Sequence, residues 1–464
     1  MTSSLAHSRR QVRASILSML LLLAPATWAQ EDFFGTIEVD TSSTGSSERD
    51  WSLLGWAIEK IGFGYESPPP PFARRDEAVN SLETSLYLQF DQTLGPRTQL
   101  RASGKYYHDE VYRLQDDTDT NFSPEEINEF RNRYEVRDLY IEHETQGGLY
   151  LKFGKQILAW GMSEYLRVTD IVNTEDLYTF GQQDLEDLRL PVPALLGSVS
   201  LAGWTLDGAV TWGAGHDYLA PERDEFDPFI FLRQPGQTIV RQDPEQEHEV
   251  FLRASTRWAR GDIQIIAGEF NENRLSGRQI ESQPDSSTRH YYGQARNRAL
   301  GLAANRVAGS WLLFGEAALH THRSVRPAAS HFLSSNTGWQ QRDQWLGALG
   351  LEYSGLRNLL LSLEVDAIHT LDHDATLQAP RNEISAGVRA YWTAMNERLQ
   401  LLAVWNELAD DAGHVARLSL NYDFSDAFTA GLLWVSYDSP SDSIFSPYRH
   451  NDTIQAQLRY NFQF

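Results

Sequence analysis

Thr453-Ile454-Gln455-Ala456-Gln457-Leu458-Arg459-Tyr460-Asn461-Phe462-Gln463-Phe464 alternates without interruption. Successive side chains of an extended strand point to opposite sides, so Ile454, Ala456, Leu458, Tyr460, Phe462 and Phe464 share one face and the polar residues share the other. A wholly apolar face backed by a wholly polar one suits a strand with lipid on one side and water on the other. Outer-membrane barrels typically close with a strand ending in Phe, which the barrel-assembly machinery recognises.

Working back from this strand, the same period recurs in hairpins. Ala416–Phe424 turns at Ser425-Asp426 into Phe428–Trp434, and Ile384–Trp392 turns near Asn396 into Leu399–Trp405. Trp345–Tyr353, Leu300–Arg306, Val250–Trp258, Leu195–Leu201, Val136–Glu144 and Leu82–Asp91 each lead through a short turn bearing Gly, Asn or Asp into a partner strand, as tight hairpins require. Eight hairpins and the last strand make seventeen, and a single-chain barrel closes on an even number. A strand within Trp56–Tyr65 brings the count to eighteen. Trp51, Leu54, Ile58 and Ile61 also fit a helical period, and a helix there leaves sixteen. The connections at the other ends, 108–133, 159–193, 214–246, 271–296 and 321–342, are long and polar. The expected fold is therefore all-β: a transmembrane antiparallel β-barrel of 16–18 strands, with short periplasmic turns and long extracellular loops.

Composition agrees. Lys+Arg number 40 against 63 Asp+Glu, a net charge of −23, so a nucleic-acid partner, which needs a basic face, is excluded. The absence of Cys excludes thiolate metal sites and disulfides, and 53 aromatic residues accompany a hydrophobic fraction of only 41%, which suits strands that are apolar at alternate positions. Arg9, Arg10 and Arg13 precede the apolar run Ile16–Ala24, and Thr27-Trp28-Ala29 offers small residues to a signal peptidase. Residues 1–29 are expected to be a signal peptide, 30–50 a flexible lead rich in Ser and Thr, and 51–464 the barrel, placed in the bacterial outer membrane.

If the apolar faces meet lipid, Arg101, Lys105, Arg253, Arg257, Glu364, Asp366, Arg389, Arg417 and Arg459 face the lumen as pore-lining residues, with Glu352 and Asp423. Sixteen to eighteen strands enclose more space than wall side chains fill. Gly154-Lys155-Gln156-Ile157-Leu158-Ala159-Trp160-Gly161 runs from a strand into a long connection carrying Glu164, Arg167, Asp170, Glu175, Asp176, Asp184, Glu186 and Asp187. A connection of that length needs a reason, and folding inward as a constriction is a common one. The Gly-Lys-Gln…Trp-Gly segment, Asp170-Ile171-Val172-Asn173, the return at Leu190-Pro191-Val192-Pro193 and the Phe-ending barrel resemble a large family of bacterial outer-membrane proteins. Genes of that family often neighbour RND-type exporters and a lipoprotein-like outer-membrane partner. The resemblance implies the location and fold, and implies transport by association.

The expected function is an outer-membrane channel, importing or exporting a small polar or amphipathic solute, narrowed by the 159–193 connection. No enzyme activity and no cofactor or metal is expected; the partners are membrane lipid and lipopolysaccharide, the assembly machinery and an RND-type exporter. Two rivals stand beside it. His369, Asp372, His373 and Asp374 lie where a strand meets an outer loop, an arrangement available to a hydrolase, with His216 and Asp217 on another loop. A helix at Trp51–Ile61 inside the lumen would instead make a plugged structural barrel. Asp116, Asp117 and Asp119 suit loose binding of divalent cations and lack the Gly and Glu of a calcium loop.

Overall fold

The computed structural model describes residues 50–66, 79–114, 123–213, 215–328, 338–409, 412–441, 443 and 445–464, without the side chains of 113, 114, 185 and 186. The expected signal peptide, almost all of the flexible lead and the Asp116–Asp119 cluster lie outside the described residues. Eighteen strands form one antiparallel sheet closed upon itself. They are β1 (Trp51–Gly64), β2 (Val79–Gly95), β3 (Thr98–Asp109), β4 (Asn132–Glu144), β5 (Leu149–Gln156), β6 (Val192–Leu201), β7 (Trp204–Thr211), β8 (Glu249–Trp258) and β9 (Gly261–Asn271). The other nine are β10 (Arg296–Ala308), β11 (Trp311–Val325), β12 (Gln340–Leu356), β13 (Leu359–Thr370), β14 (Asn382–Ala394), β15 (Leu399–Glu407), β16 (His414–Ser425), β17 (Phe428–Asp438) and β18 (Thr453–Gln463).

Each strand pairs with the next, and β1 closes the ring by pairing with both β2 and β18, Ile58 standing between Ser85 and Arg459. Residues 51–61 are therefore a strand, and the helical alternative is wrong: edge backbone groups of β2 and β18 at membrane depth have only β1 to satisfy them. The turns on the end that holds Phe464 are tight. Ala202 and Gly203 both take positive φ, 51° and 82°, as a two-residue hairpin following the strand twist demands. The connections at the other end are more ordered than their polarity suggests. Strands 174–177, 189–190 and 218–219 form one small sheet, and 237–241, 276–282 and 288–293 form another.

Large apolar side chains, among them Leu252, Leu300, Leu349, Leu363 and Leu432, stand exposed on the outer surface. Aromatic pairs mark the rim near the tight turns: Trp311 and Tyr353 with ring centroids 4.3 Å apart, Phe428 and Tyr460 at 4.9 Å. An apolar belt edged by an aromatic rim is surface that a bilayer covers. Glu59 is an exception: it faces outward within the belt and its carboxylate takes the Thr84 hydroxyl at 3.0 Å. Leu349, 72% exposed in mid-belt, gives a direct test. Leu349→Arg should destabilise the folded barrel in liposomes by about 2–4 kcal/mol, measured by equilibrium unfolding in urea; an unchanged midpoint would place this face outside lipid.

Candidate functional site

The long connection 157–191 between β5 and β6 turns into the barrel. Leu158, Trp160, Ile171 and Val172 bury themselves against Ala209 of β7, Phe251 of β8, Ile266 and Phe270 of β9 and Ala299 of β10, and Val168 packs on Ala318, Leu346 and Ala348 of β11 and β12. At full burial such side chains contribute roughly 1.5–3 kcal/mol each, enough to hold the segment to one wall. Two wall glycines make room for it. A Cβ on Gly387 of β14 would collide with the Tyr165 ring, and one on Gly301 of β10 would lie 2.8 Å from the Thr169 methyl.

Two wall carboxylates then fasten the segment's backbone. Glu316 of β11 accepts from the amides of Met162, Ser163 (3.2 Å) and Thr169 (3.0 Å) and from the Thr169 hydroxyl (2.9 Å). Glu364 of β13, only 1% exposed, accepts from the Ser163 hydroxyl and the amides of Glu164 and Tyr165, both 3.2 Å. Strand amides use one another, so a loop that enters a lumen has its own amides to satisfy, and the wall supplies the acceptors.

Side-chain charges complete the seating. Glu164 pairs with Arg389 of β14 at 2.5 Å, and Arg389 also holds Glu352 at 3.1 Å. Asp176 meets Arg133 of β4 at 3.1 Å, Asp184 meets Arg417 of β16, and Asp187 meets Lys105 of β3. Within the segment Arg167 lies 3.5 Å from Glu175 and 4.0 Å from Asp170, and Asp170 binds Arg189 at 2.6 Å. The Glu175 amide donates to Asp217 of the next outer loop at 2.9 Å. Phe180 reaches β17, its carbonyl accepting from the Tyr437 hydroxyl, and Gln182 bonds Gln455 of β18 at 2.7 Å. The segment thus crosses the lumen from the β7–β14 wall to β3, β4 and β16–β18.

The remaining sequence-predicted residues also sit on the wall. Arg101 pairs with Asp91 of β2 at 2.6 Å, and Arg253 pairs with Asp207 of β7 at 2.7 Å and covers the Trp160 ring at 5.0 Å. Arg459 lies 5.3 Å above the Trp56 ring and donates to Asn461 at 2.7 Å. Asp366 is fully buried one inward step from Glu364, Arg257 is exposed near the tight-turn end of β8, and the Glu186 side chain lies outside the described set. Sequence reasoning passed over Glu316. It also passed over the signal that locates the seat: Phe251, Ile266 and Phe270 are apolar at inward positions, where a water-filled lumen asks for polar residues.

Among the described residues no hydrogen bond joins the side chains of the hydrolase alternative to one another. His369 bonds Asn382 at 2.6 Å, while His373 bonds the Ala379 carbonyl at 2.8 Å and His216 the carbonyl of its neighbour Asp217 at 2.6 Å. The Thr376 hydroxyl and amide push the Asp374 carboxyl down to about 2, which unsuits it for proton transfer near neutrality. Among the described residues no three His, Cys, Asp or Glu side chains come together as a metal site.

The chain belongs to the family described as "Protein of unknown function (DUF1302)", whose profile matches residues 11–462. No curated protein matches it at significant similarity. Among solved structures it is similar to OmpT, an outer membrane protein of Vibrio cholerae, at 8% identity, covering 90% of this chain and 99% of that one with a TM-score of 0.41. It is also similar to the outer membrane channel DcaP of Acinetobacter baumannii, at 12% identity over 89% and 97% of the two chains with a TM-score of 0.42. OccK1 (OpdK) of Pseudomonas aeruginosa is 13% identical over 89% and 99%, with a TM-score of 0.47. These are likenesses of barrel to barrel. With its closed wall and apolar belt, the molecule is a bacterial outer-membrane protein.

Proposed function

We propose that this DUF1302-family barrel is an outer-membrane channel for a small polar or amphipathic solute, narrowed by the inward segment 157–191. The observation that carries the reading is the seating of that segment. Glu164, Asp176, Asp184 and Asp187 each meet a wall cation, and two wall carboxylates hold its backbone, so the lumen is narrowed by a built element. On this reading the protein is a conduit and no enzyme. Its supply or discharge through an RND-type exporter rests on the family resemblance, and co-purification from membranes tests it. A plugged structural barrel is the second reading, favoured by the breadth of the segment's contacts around the wall.

Planar bilayers separate the two. Discrete conductance steps are expected in potassium chloride, and a silent barrel across voltage and salt supports the plug. On the far side of the lumen Asp176, Asp184 and Asp187 are each matched by a wall cation, and fields from more distant charges fade within about 8–10 Å at physiological salt, so the reversal potential in a salt gradient should lie near zero. Asp184→Asn with Asp187→Asn strips the partners from Arg417 and Lys105. That variant should become anion-selective, by about threefold in permeability ratio; unchanged selectivity would put the narrowing elsewhere.

A further inference from the structure

The inward segment grips β14 through Arg389 and β16 through Arg417, and its described contacts pass over the strand between them. On β15 the inward positions facing this gap are Leu402 and Val404. Val404 stands directly between the two arginines in the ladder, and Leu402 between Tyr391 and Ser419. Both apolar side chains are half-buried, neither sealed in a core nor turned to lipid. A lumen wall exposed to water gains nothing from apolar residues, which are unfavourable when left wet.

The banks of the gap carry two hydrogen-bond donors without partners. The Tyr165 hydroxyl, on the β14 side, and Arg417 Nε, on the β16 side, are both buried and bond to nothing among the described residues. A donor buried without an acceptor is costly, so a site that keeps two is suited to something that brings acceptors. The same pairing of apolar surface with cations recurs on β1. There Leu54, Trp56 and Ile58 all point inward; Ile58 stands opposite Arg459, and Arg459 and the Lys105 ammonium each lie 5.3 Å from the Trp56 ring.

We propose that the opening left by the inward segment runs along β15 and that it takes an amphipathic anion, an apolar or aromatic body bearing one carboxylate. The body lies on Leu402 and Val404, and the head meets Arg417 and Tyr165. The strip on β1 offers the same combination about four strands around the wall, roughly 19 Å at the usual strand spacing. This inference rests on the channel reading and sharpens its solute.

The test uses the full-length barrel in planar bilayers, with potassium chloride current as the readout and octanoate, acetate and octylammonium as probes. Octanoate should interrupt the current at a concentration at least tenfold below acetate and octylammonium. Leu402→Asn with Val404→Asn should raise the octanoate concentration needed by tenfold or more. Equal effects of octanoate and acetate overturn the apolar body, and equal effects of octanoate and octylammonium overturn the anionic head. Normal current with no octanoate effect overturns this inference alone, whereas absence of any current overturns the channel reading and this inference with it. The comparison of the three ions on the unaltered protein needs no variant to fold.

Discussion

Replacing Glu316 and Glu364 together by Gln should raise the single-channel conductance about threefold and make it noisy, while the barrel itself stays folded. The two carboxylates receive seven donors of the inward segment, five of them amides between Met162 and Thr169. A hydrogen bond to a charged acceptor contributes about 1.5–3 kcal/mol, and an amide side chain turns an NH₂ toward donors that need an acceptor. The expected loss is several times thermal energy at each residue, so residues 162–169 should detach. The wall does not depend on them, because its ladder runs strand to strand through all eighteen members. Conductance recorded before and after the double substitution, with electrophoretic mobility of the unheated barrel as the folding control, checks it. An intact barrel with unchanged conductance would mean that this segment does not limit flow.

The second large effect concerns the outer loop between β7 and β8. Asp224 is buried there, accepting from the Phe226 amide at 2.9 Å and the Tyr112 hydroxyl at 3.2 Å. Burial, aided by the charge of Glu225 and then Asp227, pushes its carboxyl up to about 8. The folded loop therefore keeps a proton that the opened loop releases near 4. Its stability is complete below the opened-state value, falls as pH rises from about 4 to about 8, and levels off above, by up to tenfold in the opening equilibrium per pH unit. Phe226 belongs to the cluster with Val415, Val435 and Tyr437 on β16 and β17, so opening uncovers that wall. Hydrogen exchange of residues 220–233, corrected for intrinsic rates, should lose protection across this window, and Asp224→Asn should flatten the profile. An identical slope in the Asn variant would show that another group governs the loop.

Much of this was legible in the sequence, because lipid imposes a strict period. From Ile454 to Phe464 each apolar residue does face outward, and the tight turns fall on one end as their Gly, Asn and Asp residues indicate. β1 was ambiguous for a physical reason. It is apolar on both faces, with Leu54, Trp56 and Ile58 inward and Leu53, Ala57 and Ile61 outward, so neither period dominates. The charges of the inward segment and of the wall could each be read from the chain, but their pairing joins residues as far apart as Asp184 and Arg417, 233 positions, which local pattern does not encode. Glu316 was invisible because an inward carboxylate in a lumen is unremarkable until a loop is laid against it. The outer loops misled through polarity, since their short strands pair with one another and need no apolar face.

The seam between the first and last strands also governs how the molecule comes into being. The Thr453 hydroxyl reaches the Phe63 carbonyl at 3.4 Å across 390 residues of chain. The seam therefore cannot form until almost the whole polypeptide has been synthesised and delivered, and until then β1 carries an unpaired edge and two greasy faces, a surface prone to clumping. Contacts so distant along the chain are slow to find one another. The time between secretion and closure is thus the vulnerable interval in this protein's biogenesis, and quality control in the periplasm has most reason to act there.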